Sequence, residues 1–432
     1  MVLPLTAKIA SDGHLNIGGC DAVDLAERFG TPLFVYDEET IRQRCRDYVK
    51  AFSGQGVDYE IIYAGKAFLS LAVAKIIAEE GLSLDVTSGG EIYTALKAAF
   101  PADRMFFHGN NKSPGEIELA LGTGVGRFVI DNSEELDLLD TMAGEMGKRP
   151  SVLLRLTPGI VPTTHAYVQT GQVDSKFGFG IDSGAALAAT EKALAKKNLA
   201  LTGYHAHIGS QIFALHSYDK AIEVLMDFIA EVDSKVGFKV GELDTGGGLG
   251  IKYKVHDEPS TIEAFADTIV GSVKAGTKKH QLPMPKIMVE PGRSIIGNAA
   301  VTLYKIGAIK EIPGVRTYVS VDGGMSDNLR PMLYNAVYDA LIAGKADAPA
   351  AAKVTVAGKH CESGDLLIEE AIIPEPEIGD ILVTPATGAY GYVMANNYNR
   401  VPRPAVIMVK DGEAREIIRR ETYEDLVRLE EP

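Results

Sequence analysis

The 432-residue chain has no tryptophan, only three cysteines and no excess of basic charge. Each shortage excludes something. Cys20, Cys45 and Cys361 are odd in number, far apart and without a CxxC pair, so neither a disulfide framework nor a thiolate metal site is expected. Lysine and arginine total 43 against 58 aspartates and glutamates, a formal net charge of −15. That balance disfavours nucleic acid and anionic membranes as partners. No stretch approaches the roughly 20 apolar residues of a membrane span. The opening MVLPLTAKIA lacks an apolar core of signal-peptide length. A cytoplasmic protein is expected. Hydrophobic residues make up 46% and charged residues 23%, so at this length two domains with a sizeable core are expected.

What is present is an alternation. Eight short strand-like runs begin EIIYA (60–64), LSLDV (82–86), RMFFHG (104–109) and RFVID (127–131). They continue with SVLLRL (151–156), LTGYHAHIG (201–209), ELDTGGG (242–248) and KIMVEPG (286–292). Helical patterns follow the runs, such as LSLAVAKIIAEEG and NSEELDLLDTMAGEMG, the latter opening on Asn132 or Ser133 as N-cap. Eight strand–helix units in about 250 residues predict a (β/α)₈ barrel of the TIM type over 36–294, in preference to an open doubly wound sheet. The Gly-, Pro- and Thr-rich insertion after the fifth run reads as a loop over the barrel mouth. Short alternating strands with Gly and Pro turns dominate the rest, so residues 1–35 together with 295–432 are expected to form a β-rich domain.

Polar residues at the C-terminal ends of barrel strands read as functional. Lys66 follows the first run at once. It is either a solvated strand-end lysine or a Schiff-base lysine, whose partly desolvated amine attacks an aldehyde. Pyridoxal phosphate, the commonest such aldehyde, then needs three more things: a phosphate cradle, a partner for the pyridine nitrogen and a face against the ring. DTGGGLG offers backbone N–H groups, with Ser210 as a further hydroxyl. Glu290 in EPGR is either the pyridine partner or half of an ion pair with Arg293. His207 is either a ring-stacking residue or a core histidine. Asp85 and His108 are read as supports behind Lys66 and the ring. His165 and Lys176 are given no role.

YAGKA, DVTSGGE, HGNNKS, HIGSQ, GGGLG, EPGRSI, CESGD and GAYGYVMANNYN occur in that order. Together they resemble the successive motifs of the diaminopimelate decarboxylase family, pyridoxal-phosphate lyases built as an alanine-racemase-like barrel plus a β-domain. HGNNKS and CESGD are the most discriminating of these, the glycine run the least. The resemblance implies decarboxylation of meso-2,6-diaminopimelate to L-lysine and CO₂, the last step of lysine biosynthesis. It implies that Lys66 carries pyridoxal 5'-phosphate, His207 stacks on its ring, Ser210 and Gly247 lie near its phosphate, and Glu290 meets the pyridine nitrogen. Pro291, Gly292 and Arg293 would border the cofactor, and Tyr390 would touch its phosphate. Arg293, Arg330, Tyr334, Glu362 and Tyr390 match positions that hold the substrate. Cys361 matches the proton donor, and in the family it and Glu362 reach the site from the neighbouring subunit of a homodimer. No metal is expected. Three alternatives remain: a relative acting on ornithine, arginine or carboxynorspermidine; a pyridoxal-phosphate-binding protein without catalysis; and a racemase, which would need a second base opposite the lysine.

Overall fold

Parallel strands covered on both faces read as near-continuous apolar runs, and all eight runs form strands. In the computed structural model, which describes residues 2–160 and 175–431, these are β1 (Tyr59–Ala64), β2 (Ser83–Val86), β3 (Met105–Phe107), β4 (Arg127–Ile130), β5 (Ser151–Thr157), β6 (Ala200–Ala206), β7 (Glu242–Asp244) and β8 (Lys286–Val289). Each pairs in parallel with the next, and β8 returns to β1 through Val289 opposite Ile61, closing the barrel. Ile62, Phe106, Val129, Leu153 and Met288, one from each of five strands, form a buried cluster.

The turns after the first four strands end on side-chain caps. Ser70, Ser88, Ser113 and Asn132 each accept a hydrogen bond from a backbone N–H in the first turn of the following helix. Such caps satisfy N–H groups that a helix start leaves open. They keep these connections short, which places the residue just after each strand firmly at the mouth. The barrel strands and these helices belong to one compact unit, Cys45–Gly250 with Pro259–Arg293.

The second unit comprises Met1–Arg44, Ile251–Glu258 and Ser294–Pro432. Its long strand Ala300–Ile312 pairs antiparallel with Leu33–Asp37, Arg316–Val321 and Ile381–Pro385. Ala352–Ala357 and Leu366–Ile373 extend one side of this sheet. Ala405–Lys410 and Glu413–Ile418 extend the other, a hairpin beyond the strands expected from the sequence. Two cores fill the unit, one around Leu33, Val35, Val301 and Ile407, the other around Tyr253, Tyr304, Tyr338 and Val356. Among the described residues, no helix is long and apolar enough to cross a membrane.

Candidate active site

The mouth of the barrel gathers charge that the interior would otherwise reject. Lys66 lies in a single 3₁₀ turn, Gly65–Ala67, directly after β1. Its neighbours Gly65 and Ala67 are buried while Lys66 itself is exposed. Glu290 follows β8 and is 4% exposed. His108 Nε2 lies 2.8 Å from Glu290 Oε1, and His205 Nε2 lies 3.3 Å from Glu290 Oε2. The two imidazoles meet edge to face, with centroids 4.9 Å apart. Glu290 thus lies between two histidines, an arrangement that neither sequence reading contained, while Arg293 donates to Ser210 Oγ from Nε at 3.3 Å and from Nη2 at 3.0 Å.

Burial alone would push the Glu290 carboxyl upward, but His108 and His205 outweigh it and hold the group well below the usual carboxylate range. The neighbouring acids move the other way. Burial, and then the Glu290 charge, push Asp244 well above its ordinary value. Asp85 is pushed up to about 6 by burial, with the Glu290 charge adding to the shift against the opposing pull of His108 and Lys66. Of these carboxyls, Glu290 is the one whose ionised form its surroundings favour. Burial lowers His205 to about 4, and burial with the Lys66 charge lowers His207 well below its usual value. Both rings are neutral at pH 7. His108, His205 and Glu290 also bring ligand-type atoms within 4.8 Å of one another, a set with the spacing to hold a metal ion.

The glycine run binds this cluster to the next strand ends. A Cβ on Gly247 would stand 2.0 Å from the Glu290 carbonyl oxygen, and Gly248 adopts φ +112°, so side chains are excluded at both positions. Gly247 N donates to His207 Nδ1 at 3.3 Å, which leaves the ring proton on Nε2. Pro291 accepts from Ala64 N at 3.1 Å, and Gly292 packs against Ala64 and Ala67, so the EPGR turn supports the Lys66 turn directly. HGNNKS is a clamp. Lys112, 6% exposed, donates to Gly109 O at 2.8 Å, Val129 O at 2.7 Å and Glu135 Oε1 at 2.6 Å, joining the ends of β3 and β4.

The remaining expected residues lie in the β-rich unit. Arg330 is buried at the start of the helix Arg330–Tyr334, whose last residue is the half-buried Tyr334. Tyr390 is partly buried with φ +58°. Cys361 and Glu362 are exposed. Their loop is pinned by Asp365, which accepts from His360 N at 3.0 Å, His360 Nδ1 at 2.9 Å and Met325 N at 2.7 Å. Lys176 stands 5.0 Å from the Phe177 ring centre. His165 and most of the expected mouth loop lie outside the described residues.

His108 touches Glu290, so its support goes to that carboxylate more closely than to Lys66. Sequence reasoning gave His205 no role, although it shares a strand face with His207 two residues on, a period-2 signal. Asp244, at the end of β7, was likewise passed over. An exposed lysine, a neutral imidazole ring, a serine–arginine pair beside crowded glycines and one buried fixed carboxylate suit a flat phosphorylated aldehyde with a ring nitrogen to protonate.

Comparison with known proteins agrees. Residues 38–297 match the family model described as pyridoxal-dependent decarboxylase, pyridoxal binding domain. The chain is similar to the diaminopimelate decarboxylase of Halalkalibacterium halodurans, 49% identical over 99% of this chain and 97% of that one. It is 48% identical to that of Bacillus subtilis over 100% of this chain and 98% of the other. A solved diaminopimelate decarboxylase from M. jannaschii, in complex with L-lysine, superposes with a TM-score of 0.94 at 35% identity, covering 100% of this chain and 99% of that one.

Proposed function

The chain belongs to the pyridoxal-dependent decarboxylases, and from that premise we propose how its residues divide the work. It is a lyase that takes a small amino acid, meso-2,6-diaminopimelate, and releases CO₂ and L-lysine, with pyridoxal 5'-phosphate as cofactor. When bound, the cofactor supplies a sink for the electron pair left on Cα.

The residues supply the rest. Lys66 Nζ is the amine that holds the aldehyde carbon. Glu290 keeps a proton on the pyridine nitrogen, and it does so because two imidazoles hold it ionised. His207 offers a neutral ring face. Ser210, Gly247 and Tyr390 serve the phosphate, with Pro291, Gly292 and Arg293 bordering the cofactor. Arg330 takes the distal carboxylate of the substrate and Glu362 its distal ammonium, with Arg293, Tyr334 and Tyr390 beside them. Cys361 Sγ–H donates the proton to Cα, as a general acid. The observation that carries the reading is the fixed Glu290 charge in the same mouth as an exposed lysine.

Substrate choice follows from Arg330. A buried guanidinium calls for a carboxylate, which diaminopimelate brings at its far end and ornithine does not. On a panel of diaminopimelate, ornithine, arginine and carboxynorspermidine, we expect kcat/KM highest for diaminopimelate by at least about 100-fold, roughly 2.7 kcal/mol. Preference for ornithine would overturn the assignment. CO₂ release from none of them despite bound cofactor would favour a binding protein without catalysis.

We further propose a cytoplasmic homodimer whose sites take Cys361 and Glu362 from the neighbouring subunit. Lys66→Ala and Cys361→Ala should each be nearly inactive alone. Mixed and reassociated subunits should recover up to about a quarter of wild-type activity, since about half the dimers are mixed and each of these has one intact site. No recovery in a mixture shown to exchange subunits would remove the shared site, and cell fractionation into the envelope would remove the location.

A further inference from the structure

Arg330 is buried with one donor unmet. It is 7% exposed, and its Nε is buried without a hydrogen-bond partner. Its Nη1 is taken, donating to Tyr253 Oη at 2.6 Å. The guanidinium carbon stands 5.2 Å from the Tyr253 ring centre and 6.0 Å from that of Tyr334. A guanidinium is a rigid planar fork. Its Nε–H and Nη2–H point the same way, and that edge grips a carboxylate through two parallel hydrogen bonds. Nη1 lies on the other side, where the phenol oxygen holds it.

Tyr253 is itself fixed. Its backbone N donates to Asp257 Oδ2 at 2.8 Å. Next to it, Lys254 Nζ donates to Tyr338 O and to Asp339 Oδ1, both at 2.6 Å. The Tyr253 ring stands edge-on to Tyr338, with centroids 5.5 Å apart and planes at 89°. The segment Ile251–Glu258 that carries it packs with the β-rich unit although it lies in sequence between β7 and the helix Ile262–His280.

We infer that Tyr253 is a positioning residue for substrate selection: by accepting from Nη1 it sets the rotation of the Arg330 guanidinium and reserves the Nε–Nη2 edge for the distal carboxylate of the substrate. This rests on the functional reading above, which gives Arg330 that carboxylate. Without the phenol oxygen the guanidinium loses its fixed plane, and ligands that bring a carboxylate to it bind less well. Ligands without one are unaffected.

The test uses holoenzyme and Tyr253→Phe, which keeps the ring and removes only the oxygen. Expected are a roughly tenfold rise in KM for diaminopimelate and in the inhibition constant of L-lysine, with kcat within about twofold. That is the scale of one hydrogen bond to a charged group. The inhibition constant of cadaverine, the same carbon chain without carboxylates, should not change. An equal rise for L-lysine and cadaverine, or no rise in either, overturns the inference, the first because it reports a general loosening of the pocket. A wild-type protein inert toward diaminopimelate defeats the functional reading and the inference together; a normal wild type with an unchanged variant defeats the inference alone.

Discussion

Replacing Lys66 with alanine is expected to abolish turnover while leaving the protein folded. Lys66 is exposed in a turn whose anchoring residues are Gly65 and Ala67. Surface substitutions of this kind usually shift stability by no more than about 0.5 kcal/mol, so the melting temperature of the apoprotein should hardly move. Activity has no such latitude. Removal of a covalent nucleophile commonly costs about 10⁴-fold or more, and Asp85 and His207 both feel the Lys66 charge in the intact site. Wild-type holoenzyme reduced with borohydride should carry its pyridoxyl label on the peptide containing Lys66, and the alanine variant should carry none. A label on another peptide, or a colourless variant with full activity, would remove Lys66 from its role.

The barrel was legible because its strands are buried on both faces, which writes each as an unbroken apolar run, and because caps such as Ser88 and Asn132 mark where helices begin. The hairpin Ala405–Ile418 was harder to read. Its outer strand Glu413–Ile418 is half-exposed along its length, so the alternation is blurred, although Asp411-Gly412 marks the turn. At the site, polar residues ending strands pointed to the mouth, but their pairing is a tertiary fact. Glu290 and Arg293, three apart, read equally well as an ion pair. The strand end turns Glu290 toward His108 and His205, while Arg293 opens a new helical turn and reaches Ser210. Arg330 and Cys361 have no periodicity that marks them, and their roles are assigned through family resemblance alone. Tyr253 was not found at all, since only the packing of Ile251–Glu258 brings it to Arg330.

The Glu290 charge is the second point where a large effect is expected. Glu290→Gln keeps the volume and one oxygen but removes the charge. A neutral amide cannot hold a proton on the pyridine nitrogen, so kcat should fall about 10²- to 10³-fold, the scale for losing one preorganised electrostatic group. KM for diaminopimelate should change little, because the proposed holders of the distal head are other residues, Arg330 and Glu362. Two further readouts separate loss of charge from disturbed packing. Asp85 is pushed up to about 6 partly by the charge on Glu290; with that charge gone, its titration should move to lower pH, measurable by infrared spectroscopy of the carboxyl band. Glu290→Asp restores the charge but withdraws it by one methylene from contacts of 2.8 Å and 3.3 Å with His108 and His205, so it should recover part of kcat. A glutamine variant keeping more than about a third of wild-type kcat would show that Glu290 merely fills space between two imidazoles, and the cofactor's electron sink would then need another partner.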